Sequence, residues 1–313
     1  MRFSLFFLLL LVGFFLTAQD APVFEIEHTI ASAAFGDERT VTVYLPPAYY
    51  RRPDDKYTVT YVLDGHYAPF INLVVKTIEY NVNADKITPT IIVGIHAKNR
   101  GAEFSAPKPD DEYQDGRAPA LQEHFRNEVF PLIDSLYPAV ADYRALIGHS
   151  SGGAFVLYTV LSEAADLFDG YIGISPALRP GRNTILEDAE AYLATGAKLP
   201  KFLYCSAGTV GEREELFGGA IDRLDALLTR FPEHGLIWRQ GRFAGLDHWS
   251  VVGPSVVGGA MQQSRAFRAD MKVITDFARE AKGNLPKQLD KFYATNQAWY
   301  GFTDLPRPSY LFQ

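Results

Sequence analysis

The sequence of 313 residues is 47% hydrophobic, which is enough to bury one large core. Its 37 acidic residues outnumber its 30 Lys and Arg residues, and the net charge of -7 argues against nucleic acid as a partner. With a single cysteine, Cys205, no internal disulfide can form, and this excludes the small disulfide-stabilised scaffolds.

The N-terminus has the pattern of a secretory signal peptide. Arg2 is followed by an apolar run from Phe3 to Leu16 and then by small and polar residues. This run is shorter than the roughly 20 apolar residues that a membrane-spanning helix requires. We therefore expect residues 1–18 to be removed on export and the mature chain to begin near Gln19 or Asp20. The protein should then be periplasmic or secreted, with no membrane anchor after cleavage.

Strand patterns dominate the first part of the predicted mature chain. Runs rich in β-branched and aromatic residues predict three strands, within residues 40–50, 56–67 and 88–97. The third run is almost wholly apolar, which is typical of a strand covered on both faces of a sheet. A helix between Ala118 and Tyr137, kinked at Pro131, is predicted from apolar residues that recur every four positions: Leu121, Phe125, Val129 and Ile133.

The second part continues the alternation of strands and helices. Residues 143–149 predict a strand, and the apolar residues 152–161 predict a buried helix. Further strands are predicted within residues 169–175, 201–207 and 235–243, and the second of these contains Cys205. Between the last two strands, a helix is predicted to face the core with Leu216, Ala220, Leu224 and Leu227. A long helical pattern runs from about Pro254 to Lys282.

Strands separated by helical segments indicate an α/β fold with a mostly parallel central sheet and helices on both faces. No linker interrupts residues 20–282, so we predict one domain there. The remaining residues, 283–313, are rich in aromatic residues and prolines without helix or strand periodicity. They are predicted to form an extension that packs over the domain surface.

Gly148, Ser150 and Gly152 form a G-x-S-x-G motif between a predicted strand and a predicted buried helix. Such a strand-to-helix turn holds a strained serine between residues small enough to let the chain pass. At the helix N-terminus, unpaired N–H groups and the helix dipole favour a developing negative charge. We predict that Ser150 is a nucleophile rather than part of a purely structural turn.

A serine hydroxyl is a weak nucleophile near neutral pH, so it needs a base, and imidazole has a suitable pKa. In α/β-hydrolases the histidine follows the nucleophile in the chain, which leaves His234 and His248. His234 stands at the start of a predicted strand, the wrong end of a parallel sheet for an active site. His248 lies in the loop after that strand and is predicted to be the base.

The acid that orients the histidine should come from the loop after the preceding strand. Three glutamates, Glu212, Glu214 and Glu215, occur there, although acidic residues also favour the dipole in the first turn of a helix. Glu212 is closest to the strand end and is our choice, with Glu214 as the substitute. Asp247 adjoins His248 in the sequence and is a less suitable partner.

An oxyanion hole needs two backbone N–H donors. One is predicted to be the N–H of Ser151, and the other comes from the loop "LDGHY", where His66 is favoured over Gly65. Arg100 is a candidate for pairing with an anionic substrate group, but a structural ion pair is the preferred interpretation.

Four stretches resemble the esterase family of α/β-hydrolases, which includes enterochelin esterases, feruloyl and acetylxylan esterases and S-formylglutathione hydrolases. They are "YVLDGHY", "IIVGIHAKNRGAEFS", "HFRNEVFPLIDSLYPAVADYRALIGHSSGGAF" and "LDHWSV". The resemblance covers roughly Pro22 to Lys282. It implies an α/β-hydrolase fold with Ser150 as nucleophile, His248 as base, an acidic partner near Glu212 and no cofactor. The loop "GTVGERE" matches the family poorly, so a Ser-His dyad stays open.

These observations predict an exported serine esterase that works through an acyl-enzyme, with neither cofactor nor metal. Export favours a small-molecule or glycan ester met outside the cytoplasm, such as a siderophore lactone or a feruloyl or acetyl glycan ester. The alternative is a non-catalytic protein that keeps the α/β-hydrolase scaffold and binds a ligand at the same place. The intact serine, histidine and glycines argue against this alternative.

Overall fold

The computed structural model of the protein describes residues 24–51, 55–107, 116–178, 184–267, 271–280 and 284–300. The predicted signal peptide at residues 1–18 and the predicted mature N-terminus lie outside these ranges. Within them, no helix combines the length and the apolar character needed to cross a membrane.

Eight strands form one sheet. They are β1 (Glu25–Ser32), β2 (Asp37–Tyr44), β3 (Tyr57–Val62), β4 (Thr90–Ile95), β5 (Ala139–His149), β6 (Gly170–Ile174), β7 (Phe202–Gly208) and β8 (Ile237–Phe243). Their spatial order is β1-β2-β4-β3-β5-β6-β7-β8, with β2 antiparallel to both of its neighbours and the other pairs parallel. The predicted α/β fold with a mostly parallel sheet is confirmed. The loops after β3, β5, β6, β7 and β8 therefore emerge at one edge of the sheet.

The edge strand β1 is an element that the strand patterns do not predict. Its residues alternate between exposed and partly buried positions, from Glu25 and Ile26 onwards. An edge strand of this kind buries only every second side chain, and only partly. It therefore lacks the continuous apolar run that makes central strands such as β4 easy to recognise.

Helices cover both faces of the sheet, as predicted. They are α1 (Ala68–Asn83), α2 (Arg100–Glu103), α3 (Ala118–His124), α4 (Phe130–Leu136), α5 (Ser151–Val160), α6 (Ile185–Ala194), α7 (Glu212–Arg230), α8 (Val252–Phe267), α9 (Met271–Glu280) and α10 (Leu285–Tyr300). Tyr61 and Val62 are neighbours in β3 and point into different hydrophobic clusters. Helices α3 to α7 pack into the cluster of Tyr61, and α1 and α8 pack into that of Val62.

The predicted helix around Pro131 continues through a widened turn. Between α3 and α4, residues Phe125–Val129 are π-helical, and the N–H of Phe130 donates to the carbonyl of Phe125. Proline has no N–H, and its ring would clash with the carbonyl four residues earlier in a regular α-helix. The π-helical turn provides the room that Pro131 needs.

Helix α7 buries a face that differs from the predicted one. Leu216, predicted to point inward, is exposed, whereas its neighbour Phe217 is buried. The other three predicted inward residues are buried: Ala220, Leu224 and Leu227. Glu214 is also buried, and it lies one helical turn before Phe217 on the same face.

The predicted extension at residues 283–313 shows no helix periodicity in its sequence, yet its described part contains a helix. Helix α10 spans Leu285–Tyr300, and Phe292 packs edge-on against Phe277 of α9, with ring centroids 5.7 Å apart. The helical spacing of Leu285, Leu289 and Phe292 is hidden in the sequence by the surrounding prolines and aromatic residues. Residues 301–313 lie outside the described residues.

An aromatic cluster in the core gives the first testable prediction. The fully buried ring of Phe168 lies 5.1 Å from the ring of Phe125 and 5.4 Å from that of Phe130. We expect Phe168→Ala to lower the free energy of unfolding by about 3–5 kcal/mol, because a large cavity replaces the ring. Urea denaturation measures this change.

The matched control is Tyr80→Ala, since Tyr80 on α1 is 73% exposed. Its effect should stay within about 0.5 kcal/mol. Equal effects of the two substitutions would contradict the packing described for Phe168.

Candidate active site

Ser150 occupies a strained turn between β5 and α5. Its backbone angles are φ 60° and ψ -116°, a combination that residues with a side chain rarely adopt. The neighbouring β6 holds this turn, since the Ser150 N–H donates to the carbonyl of Ile174 at 2.9 Å. The carbonyl of Ser150 in turn accepts from the N–H of Ala177 at 2.9 Å. The serine therefore stands at the helix N-terminus, at the sheet edge where the loops gather.

Glycines allow the chain to pass close to itself at this turn. A Cβ atom at Gly148 would lie 2.3 Å from the carbonyl oxygen of Gly152. A Cβ atom at Gly153 would lie 2.9 Å from the carbonyl oxygen of Ile174. Both distances are too short for real carbon–oxygen contacts, so the backbone would have to shift and move Ser150.

Replacing Gly148 with Ala should therefore displace Ser150. We expect Gly148→Ala to reduce the hydrolysis of p-nitrophenyl acetate at least about a hundredfold, because a misplacement near 1 Å has effects of this size. The matched control is Gly219→Ala in α7, where a Cβ atom meets nothing within 4 Å. Initial rates for both purified variants test the prediction, and equal rates would contradict it.

His248 lies beside the turn, in the loop after β8. Its ring centroid is 4.5 Å from that of His149, the residue directly before Ser150. Its residue surface is only 7% exposed. His234, the other candidate base, lies in the short turn Pro232–His234 that precedes β8, at the opposite end of that strand. Of the two candidates, His248 is the one that shares the sheet edge with Ser150.

The structure pairs His248 with Glu214 and not with Glu212, so our first choice of acid is corrected to the substitute. The Nδ1 atom of His248 lies 2.7 Å from Oε1 of Glu214, whose side chain is fully buried. Glu212 is the first residue of α7 and is exposed. The two carboxylates are two residues apart on a helix, so they point in directions about 160° apart.

Three donors hold the carboxylate of Glu214. Its Oε2 accepts from the hydroxyl of Ser175 at 2.8 Å and from the N–H of Gly208, while Oε1 faces His248. Burial alone would raise the pKa of Glu214, but the hydrogen bonds from His248, Gly208 and Ser175 outweigh burial and lower it. Glu214 is therefore ionised, and its carboxylate accepts a hydrogen bond from the Nδ1–H group of His248. The Nε2 atom of His248 then carries the lone pair that a base requires.

Asp247 has a local role next to His248. Its Oδ1 atom accepts from the N–H groups of Trp249 and Ser250 at 3.1 and 2.8 Å and from the Ser250 hydroxyl at 2.7 Å. These bonds stabilise the turn that carries His248. Asp247 thus shapes the loop and does not pair with the imidazole.

Two backbone N–H groups are available at the edge where an oxyanion would form. The N–H of Gly65 donates to the carbonyl of Ile95 at 2.8 Å. Of the two candidates in this loop, the N–H of His66 is therefore the one that can donate to an oxyanion. In the described part of the chain, neither His66 nor Ser151 donates its N–H to a protein acceptor. Ser151 is the first residue of α5, where an unpaired N–H is normal. The His66 ring is fixed by the N–H of Ala97, which donates to its Nδ1 at 3.2 Å.

Arg100 forms the structural ion pair that we preferred over a substrate contact. Its Nε and Nη2 atoms donate to the two carboxylate oxygens of Asp64 at 2.6 and 2.9 Å. Nη2 also donates to the carbonyl of His149 at 3.0 Å. Arg100 thereby links the loop that carries His66 to the turn that carries Ser150.

Among the described residues, three of the four non-glycine residues with a positive φ lie at this edge, and the fourth, Asp85, follows α1. Asp64, Ser150 and Ser175 follow β3, β5 and β6, which are adjacent in the sheet, and each has a positive φ, of 60°, 60° and 42°. Residues with a side chain rarely adopt such angles, and strained positions of this kind cluster at functional sites. The three strained residues thus mark the same edge as the side-chain pairing.

Metal binding and thiol chemistry have less support in the described ranges. No group of three His, Cys, Asp or Glu side chains there is arranged to hold a metal ion. Cys205 is buried in β7, as predicted, and burial raises the pKa of its thiol, so it does not ionise near neutral pH. The described sheet edge thus carries Ser150 together with the paired side chains of His248 and Glu214.

Solved structures of similar fold include several hydrolases. An IroE-like serine hydrolase from Shewanella oneidensis aligns with a TM-score of 0.74 and 20% identity, over 92% of this chain and 91% of that chain. The siderophore hydrolase EstB from Aspergillus nidulans aligns with a TM-score of 0.65 and 20% identity, over 78% and 96%. The enterobactin esterase FES from Shigella flexneri aligns with a TM-score of 0.55 and 20% identity, over 77% and 60%. At these identities the likeness concerns the fold.

Sequence comparison matches this chain to a family profile but to no individual curated protein. A search of the curated proteins gives no match. Residues 32–267 match the sequence profile of the family described as "Putative esterase", which is most of the chain and includes the strained turn and the His248 loop. The expected resemblance and the α/β-hydrolase fold are thereby confirmed, and this chain belongs to that esterase family.

Proposed function

We propose that the protein is an exported serine esterase that hydrolyses a carboxylic ester through an acyl-enzyme. The observation that carries this proposal is the buried pair of His248 and Glu214 next to the strained turn of Ser150. A histidine oriented by an ionised carboxylate, beside a serine at a helix N-terminus, is the arrangement that serine hydrolases need. Membership of the esterase family supports the same reaction.

In the first half of the proposed reaction, the Oγ atom of Ser150 attacks the ester carbonyl carbon and its proton passes to Nε2 of His248. The N–H groups of Ser151 and His66 donate to the oxyanion of the tetrahedral intermediate. Glu214 stabilises the imidazolium that forms. When the intermediate collapses, His248 gives its proton to the leaving alcohol oxygen, and the acyl group stays on Ser150.

In the second half, a water molecule attacks the acyl-enzyme while His248 accepts one of its protons. The second tetrahedral intermediate collapses, the proton returns to the Oγ atom of Ser150, and the carboxylic acid leaves. Each half therefore ends with His248 neutral and Glu214 ionised, as it began.

The substrate class that we favour is an ester or lactone that carries an aromatic group, such as a siderophore lactone or a feruloyl glycan ester. Solved structures of similar fold include siderophore hydrolases and a ferulic acid esterase. Two aromatic side chains beside the predicted catalytic residues are solvent-exposed, Trp249 at 60% and Tyr67 at 45%. Exposed aromatic rings next to a reactive centre favour an apolar, flat substrate group. Acetyl glycan esters are the alternative substrates to include in a test.

The export part of the proposal rests on residues 1–18 and the mature start near Gln19 or Asp20. Mass spectrometry of the protein recovered from periplasm or medium, after expression of the full sequence in a Gram-negative host, measures the N-terminus. A chain that begins near Gln19 in those fractions supports export. A chain that stays in the cytoplasm with Met1 intact contradicts it.

The decisive experiment for the activity combines turnover with covalent labelling. The purified protein is incubated with p-nitrophenyl acetate, and a parallel sample is treated with a fluorophosphonate and digested for mass spectrometry. Turnover together with a phosphonate adduct on the peptide of Ser150 supports the proposal. Absence of both turnover and adduct, in a protein that is folded by circular dichroism, would favour the non-catalytic ligand-binding alternative.

A further inference from the structure

His149, the residue before Ser150, is a buried histidine that the proposed reaction does not use. It is the last residue of β5, its residue surface is 4% exposed, and its Nε2 atom lies 2.9 Å from the carbonyl oxygen of His248. Burial in the first place, together with the nearby His248, lowers the pKa of His149 to about 3. The imidazole is therefore neutral at working pH. Because a carbonyl oxygen accepts hydrogen bonds, Nε2 must carry the proton and donate it.

Aromatic rings surround this imidazole and fix its plane. Phe70 of α1 stacks on it at 5.9 Å between ring centroids. The ring centroids of His248 and Trp249 lie 4.5 and 5.6 Å from that of His149. The backbone of His149 is also held, because its carbonyl accepts from Arg100 at 3.0 Å. Because both the ring and the backbone of His149 are fixed, its Nε2–H group can hold the carbonyl of His248 in place.

We infer that His149 is a positioning residue that holds the backbone of His248, and thereby its imidazole, between Ser150 and Glu214. The inference rests on the proposed function for its catalytic consequence. The contact on Glu214 fixes only one end of the His248 imidazole, whereas the hydrogen bond from His149 fixes the main chain from which that side chain projects. The bonds to Asp247 would keep the local turn, but without a donor from His149 the main chain of His248 could shift and carry its imidazole away from Ser150.

Three substitutions separate the hydrogen bond from the packing of the ring. His149→Phe keeps an aromatic ring for Phe70 and His248 but removes the donor. His149→Gln keeps an N–H donor at a similar distance along the side chain. His149→Met resembles Gln in length and shape but has no donor, so the comparison of Gln with Met is the matched test, and it is available if the Phe variant does not fold.

For the hydrolysis of p-nitrophenyl acetate, we expect His149→Phe and His149→Met to lower kcat by about 10- to 100-fold with KM nearly unchanged, as small misplacements of a catalytic group do. His149→Gln should recover most of kcat. Equal loss of kcat in Gln and Met, or no loss in Met and Phe, would overturn the inference.

A second readout does not depend on esterase activity. The Nδ1 proton of His248, shared with Glu214, is followed by proton NMR in the wild type and in the Gln and Met variants. We expect faster exchange of this proton with water in His149→Met than in His149→Gln, because the His248 imidazole leaves Glu214 more often. If the wild type hydrolyses no ester, the proposed function fails while this measurement still tests the positioning. Equal exchange rates in the two variants would overturn the inference itself.

Discussion

Ser150→Ala is expected to lower kcat for p-nitrophenyl acetate at least about a thousandfold, because the variant has no nucleophile to form an acyl-enzyme. The residual rate should come from the oxyanion donors and from binding, neither of which needs the hydroxyl. Phosphonate labelling should disappear altogether. The strained turn depends on its glycines and on backbone hydrogen bonds to β6, none of which the substitution removes. The variant should therefore remain folded.

The control for this prediction is Ser135→Ala, at an exposed serine of α4 whose hydroxyl donates to the carbonyl of Leu132. Its rate and its phosphonate labelling should match those of the wild type. Steady-state kinetics, mass spectrometry and a melting curve are measured for both variants. Comparable turnover by folded Ser150→Ala protein would refute the nucleophile role, whatever the family membership suggests.

Glu214→Gln is expected to have the second largest effect, a decrease of kcat by about a hundred- to ten-thousandfold with a smaller change in KM. Glutamine is nearly isosteric with glutamate but cannot stabilise the imidazolium, and its amide allows the wrong tautomer of His248. The matched control lies on the same helix turn: Glu212→Gln, at the exposed residue first chosen as the acid, should leave kcat within about twofold of the wild type. Similar losses in the two variants would contradict the assignment of Glu214.

The lowered pKa of Glu214 also predicts how stability depends on pH. A carboxyl group whose pKa is lower in the folded than in the unfolded state stabilises the fold above its ordinary value of 4.5. This stabilisation is lost as the pH falls through the lower, folded pKa. Urea unfolding of wild type and Glu214→Gln between about pH 7 and about pH 3 should show the steeper loss in the wild type. Parallel curves would argue against an ionised, hydrogen-bonded Glu214.

Much of the architecture follows from the sequence because central strands and their helices carry strong patterns. The wholly buried β4 and β7 are apolar runs in the sequence. Glycines on both sides of Ser150 indicate the turn there. The edge strand β1 and the helix α10 were missed, since each buries only part of its surface and its apolar period is correspondingly weak. Weak periodicity, rather than an unusual fold, limits the prediction at the two ends of the domain.

The choice of the acid and the face of α7 failed for one shared reason. Glu212 lies four residues before Leu216, so a helix that turned Leu216 inward would also turn Glu212 toward the core. The buried face instead contains Phe217, and Glu214 precedes it by three residues. A helical phase set by the larger side chain, Phe217, would have pointed to Glu214. The sequence thus contained the signal, although Leu and Phe side by side left the phase ambiguous.

The residues that hold Glu214 and His248 in place could not be predicted from sequence motifs or periodicity. Ser175 donates to Glu214 from the end of β6, and Gly208 does so through its main chain. These contacts join positions more than 30 residues apart or use backbone atoms, which have no residue preference. The pairing of His149 with the carbonyl of His248 spans 99 positions. Such contacts arise from the sheet order, which brings separate strand ends together.

Selection of this protein for heat resistance would act on the strained residues after β3, β5 and β6. Each positive φ at Asp64, Ser150 and Ser175 destabilises the fold by about 1–3 kcal/mol, and glycine would relieve it. At Asp64 and Ser175 a glycine would also remove a buried side chain that holds Arg100 or donates to Glu214. A screen that selects only survivors of heating should therefore enrich glycine chiefly at Ser150, the proposed nucleophile. Thermal selection must consequently be coupled to turnover, or it will yield durable but inactive variants.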